Sequence, residues 1–143
     1  MCDSSCEITT SWTAIPLMEA GSGHTSAVLR FNSIGQPRMI FNHGSINSVA
    51  GDLWYLWCNS DCNLKTNWDY FSLGFAGKTE DPDLALDAQD RPRIAFKIIS
   101  PGGLFFGFCN TNCESHTAYW QGDISERDSL LDVEWPILPW VGC

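Results

Sequence analysis

Leu84-Ala-Leu-Asp-Ala-Gln-Asp-Arg-Pro92-Arg-Ile-Ala-Phe96, a Pro101-Gly-Gly103 turn, then Leu104-Phe-Phe-Gly-Phe108, Cys109-x3-Cys113 and Trp120 form a skeleton that this 143-residue chain writes more than once. The first half returns as Leu29-Arg-Phe-Asn-Ser-Ile-Gly-Gln-Pro37-Arg-Met-Ile-Phe41. The second half returns as Leu53-Trp-Tyr-Leu-Trp57, Cys58-x3-Cys62 and Trp68. A third copy is split across the termini, with Cys2-x3-Cys6 and Trp12 at one end and Leu130-Leu-Asp-Val-Glu-Trp-Pro136 at the other. A repeat of this kind marks an architecture of stacked like units, each unable to bury its apolar face alone.

Working outward, each skeleton resolves into short strands. Ser26 to Phe31 reads as a half-buried strand, Asn32-Ser-Ile-Gly35 turns the chain, and Arg38 to Phe41 returns it. Leu53 to Trp57 and Trp68 to Leu73 complete four strands. Leu84 to Asp87, Arg93 to Ile99, Leu104 to Phe108 and Tyr119 to Ile124 repeat them, with residues 74–82 expected to cross between units. Trp12 to Leu17 reads as one further short strand. Pro37 and Pro92 open strands, where a missing N–H is best tolerated. Gly, Pro, Asn and Asp recur too often for a helical period to be sustained, so the expected fold class is all-β.

Four-stranded antiparallel meanders repeated at roughly 40 to 55 residues are the blades of a β-propeller. The L-x-L-D-x-x-x-x-P-R-I-A-F run, the aromatic third strand and the cysteine loop before Trp also resemble the blade repeats of large exported bacterial β-propellers, loosely the sialidase and BNR-repeat group. The S-x-D-x-G-x-T-W box of sialidase-type blades is not present. The resemblance implies a fold more than a function, because such blades serve lectins, hydrolases and scaffolds. On this reading 1–17 ends a split blade, 25–73 and 83–124 are complete blades, and 129–143 begins another. A ring generally needs at least four blades, so the sequence leads us to expect either an excerpt of a longer protein or a homo-oligomer, with two chains closing about six blades.

Eight Lys and Arg stand against seventeen Asp and Glu, a formal charge of −9, which argues against nucleic acid and against an anionic membrane surface as partners. No apolar run reaches the roughly 18 residues of a membrane span. Six of seven cysteines fall into three identically spaced pairs, Cys2/Cys6, Cys58/Cys62 and Cys109/Cys113, most simply read as local disulfides of an extracellular or periplasmic protein. Cys143 is left over. With no signal peptide at the start, the expectation is a piece of an exported protein or a mature form with an added Met1.

Candidate site residues follow from repetition. Arg38 and Arg93 hold equivalent places after a proline. They could converge on a ligand carboxylate, or they could pair with a neighbouring acid and loop carbonyls. Trp68 and Trp120 recur once per unit and could each stack on a sugar ring, or simply pack the core. The acidic Glu80-Asp-Pro-Asp83 stretch with Asp87 and Asp90 offers oxygens to calcium without the fixed spacing of a known loop, while Asp87, matching Asn32 and Asp132, suits a turn cap. His24, His43 and His116 are expected in loops. No metal, catalytic set or cofactor is expected. The functional expectation is an extracellular binding module for carbohydrate or a surface ligand between blades, with part of a glycosidase and a purely structural repeat as alternatives.

Overall fold

The computed structural model of the protein describes residues 7–8, 13–17, 26–44, 51–74, 79–99 and 102–126, with the backbone alone for 43–44, 51–52 and 123–126. The Cys2/Cys6 pair, Trp12, His24, Cys143 and the expected blade fragment 129–143 lie outside the described residues.

The sequence pattern becomes two separate four-stranded antiparallel meanders. β1 (Ala27–Phe31), β2 (Pro37–Gly44), β3 (Gly51–Cys58) and β4 (Trp68–Ser72) make the first sheet in chain order. The second sheet is β5 (Thr79–Leu86), β6 (Pro92–Ile98), β7 (Gly103–Cys109) and β8 (Trp120–Glu126), again in chain order. The architecture is therefore all-β and doubled, as the repeat demands.

The register is equivalent in both sheets. Arg38 lies opposite Trp57 and Ile40 opposite Tyr55, as Arg93 lies opposite Phe108 and Ala95 opposite Phe106. The first turn is also built twice. Asn32 Oδ1 accepts the N–H of Ile34 and Gln36, and Asp87 Oδ1 accepts those of Gln89 and Arg91. An Asx side chain here mimics a backbone turn. Gly35 at φ 80° and its counterpart Asp90 at φ 60° complete it in the left-handed region, where Gly and Asp are tolerated.

Three expectations are corrected. β5 starts at Thr79, so part of the presumed crossover is strand, interrupted by a register shift between Glu80 and Asp83. Asp81 at φ 48° and Pro82, which has no N–H to give the ladder, account for the break. Thr13–Leu17 is not in a strand, and Pro16 would cost it a ladder donor. His43 lies within β2 rather than in a loop. A short 3-10 turn, Lys65–Asn67, joins the first cysteine loop to β4.

The sheets pack face to face. Ile40, Leu53, Tyr55 and Trp57 of the first sheet share one buried cluster with Leu84, Ile94, Phe96, Ile98 and Trp120 of the second. Tyr55 and Trp120 meet edge-on at 5.3 Å between ring centroids, a favourable aromatic geometry. Polar contacts frame the apolar seam: Arg30 to Asp83 at 2.9 Å, Ser33 to Asp90, and Asn42 to Thr79.

Candidate functional site

In a four-stranded meander the first and third connections emerge at the same end of the sheet. That geometry gathers the two Asx turns, 32–36 and 87–91, and the two cysteine loops, 58–62 and 109–113, at one polar end of the paired sheets. Both loops are closed by disulfides, Cys58–Cys62 with Cα atoms 5.8 Å apart and Cys109–Cys113 with 5.7 Å. Asp61 and Asn112 take left-handed backbone at equivalent places in them. Such bonds fit an oxidising compartment.

Arg38 is the centre of this end. Although only 2% exposed, it donates through Nη1 to the Pro37 and Cys58 carbonyls at 2.9 and 3.0 Å. Through Nη2 it donates to Asn59 Oδ1 at 2.8 Å and pairs with Glu114 at 2.5 Å. Glu114 comes from the other sheet, immediately after Cys113, and also accepts from Asn59 Nδ2 at 3.0 Å. A buried guanidinium without a counter-charge costs several kcal/mol; Glu114 supplies it across the seam.

Arg93 repeats the carbonyl contacts, to Pro92 and Cys109, and the amide contact, to Asn110. Its acid is different. Asp87 of its own turn accepts from Arg93 Nη2 at 2.7 Å and from Arg91 Nε at 2.8 Å. Burial alone would raise the Asp87 carboxyl, but the Arg91 and Gln89 N–H donors and the Arg91 side chain outweigh it and hold the group at about 2. Burial pushes the Tyr55 phenol up, with Arg38 opposing and Glu114 adding to the shift.

Of the sequence candidates, the structure brings Arg38, Arg93 and the two described cysteine pairs to this end and sets the tryptophans beside it. Trp68 opens β4 half-buried, its indole N–H given to the Cys62 carbonyl at 3.0 Å. Trp120 opens β8 and is 4% exposed, packed on Tyr55. His116 stands 3.9 Å from Asp69 across the seam and leans on Trp57. The acids considered for calcium are engaged separately: Asp83 with Arg30, Asp90 with Ser33, and Asp87 with its two arginines. Among the described residues, no three His, Cys, Asp or Glu side chains are grouped as metal ligands.

Sequence reasoning passed over Glu114, Asn59 and Asn110. Their signal was available: an Asn follows the first cysteine of both described pairs, and an acid follows the second cysteine in two of three copies, Glu7 and Glu114, where the remaining copy has Asn63. Beside Glu114 the second cysteine loop and the β5–β6 turn border an open polar depression lined by Gln89, Asp90, Asn110, Thr111, Asn112 and Ser115 among others. The chain matches no protein-family model, no curated protein and no solved structure.

Proposed function

We propose that this protein is an extracellular binding module, that its two sheets are blades of a β-propeller, and that it takes a polyhydroxylated ligand, a carbohydrate, at the polar end of the second sheet. The observation that carries the reading is the depression beside Glu114. Its lining is rich in amides and hydroxyls, which both donate and accept, the chemistry needed to meet vicinal hydroxyl groups. Disulfides and doubled aspartate and asparagine turns fix those groups in place, which lowers the ordering cost of binding.

Binding is favoured over glycoside hydrolysis by the charge state of Asp87. Hydrolysis asks one carboxyl to hold a proton near neutral pH, whereas Asp87, paired with Arg91 and Arg93, is held well below the ordinary carboxylate range.

A glycan array probed with the intact disulfide-bonded protein, followed by calorimetric titration of the best binder, tests the reading. Thr111→Ala and Asn112→Gly, the second chosen to keep the left-handed backbone, are expected to weaken binding about tenfold each, the loss of one good hydrogen bond. Failure to bind any glycan, or binding indifferent to both variants, would rule the site out.

A further inference from the structure

The two sheets carry the same skeleton, yet among the described residues only the first has its Arg/aromatic face covered. In the first sheet Arg38, Tyr55 and Trp57 are 2%, 0% and 4% exposed beneath the second sheet. Their counterparts Arg93, Phe106 and Phe108 form the outer face of the second sheet, where the Phe106 ring is 41% exposed and lies beside Phe108, over which Arg93 sits at 5.6 Å. The first sheet in turn shows Leu29, Phe31 and Tyr70 to solvent on its opposite face, at 42%, 61% and 46%. Leu29 and Phe31 are the counterparts of Leu84 and Leu86, which the second sheet uses to cover the first. Exposed apolar faces of this kind are interaction surfaces.

We propose that a second copy of this chain covers the Arg93–Phe106–Phe108 face, docking through the Leu29–Phe31–Tyr70 face of its first sheet, head to tail and in the manner of the seam inside the chain. What selects this occupant is that four contacts of the internal seam are replaced on both sides at once. Arg30 with Asp83 becomes Ala85 with the copy's Val28. Ser33 with Asp90 becomes Ala88 with the copy's Gly35. Tyr55 on Trp120 becomes Phe106 on the copy's half-buried Trp68. Arg38 with Glu114 becomes Arg93 with the copy's Asn63, and Arg93 already has its own carboxylate in Asp87. At these four places no charge is stranded, whereas swapping only one side would strand Asp83 or Glu114. A head-to-tail interface of this type closes into a ring when its rotation permits.

Light scattering after size exclusion, across a range of protein concentrations, reads the result. The wild type is expected to exceed the mass of one chain. Phe106→Glu and Phe31→Glu, both at exposed positions, are each expected to stay monomeric with an unchanged thermal melt. An equimolar mixture of the two is expected to restore a complex of one chain of each, because Phe31→Glu leaves the second-sheet face intact and Phe106→Glu leaves the first-sheet face intact. Ala88→Arg, on an exposed turn, should weaken wild-type association without touching either sheet. A wild type monomeric at every concentration overturns the proposal, including the case in which Phe106 proves shielded by the chain's own residues. So does a mixture of the variants that fails to associate.

Discussion

A single difference between carboxylate and amide decides how each repeat neutralises the arginine that follows its proline. Where the turn offers Asn32, Arg38 has no charge partner among the described residues of its own sheet and takes Glu114 from the next; where the turn offers Asp87, Arg93 is satisfied at home. The turn-capping role of these Asx residues could be read from the sequence, because Asn and Asp are interchangeable as turn mimics. Their electrostatic inequivalence could not, since it depends on which loop of the other sheet lies above. Asp87 makes the point measurable. Its carboxyl is held at about 2, below the ordinary 3.8, so its contribution to stability is complete above pH 4 and is lost as pH falls through 2. Asp87→Asn, which keeps the cap and copies Asn32, is expected to melt lower than the wild type at pH 5, with the gap closing between pH 4 and 2. Thermal unfolding of both proteins over that range checks it, and a gap independent of pH would contradict it.

At the scale of strands and loops, the period-2 pattern and the proline and Asx punctuation were enough to place the eight strands of the described residues, because a strand's side-chain alternation is local. The start of β5 escaped, since an interrupted strand with Pro82 and a left-handed Asp81 looks like a loop until its partner β6 is present. Equivalent strands also differ in how they are filled. Leu56 on β3 corresponds to Gly107 on β7, where Ile94 from β6 occupies the room: a Cβ on Gly107 would lie 2.8 Å from Ile94 Cγ1 and 2.9 Å from its Cδ1. Gly107→Ala is therefore expected to destabilise the second sheet by about 1–3 kcal/mol, despite the better strand propensity of Ala. Ile94→Val in the same chain should recover part of that loss. Denaturant unfolding of the two variants reads both effects.

For the molecule as a whole, the covering of one sheet by the other separates residues that the repeat makes equivalent. Trp68 and Trp120 hold the same place, but only Trp120 is sealed against Tyr55. Trp120→Ala is expected to cost about 3–5 kcal/mol, the range for emptying a large core site. Trp68→Ala, at a half-buried position, should cost about half that or less; comparable losses in chemical denaturation would show that the seam is not the main core. By itself the sequence determined the doubled all-β plan, the strand order, the local cysteine pairs and the shared turn, because each is fixed by neighbours a few residues apart. Only the tertiary structure decided which copy of each repeated residue is buried, which acid meets Arg38, and which faces stay open. Those outcomes depend on how one sheet lies on another, and a repeated sequence carries the same local pattern on both sides of that contact.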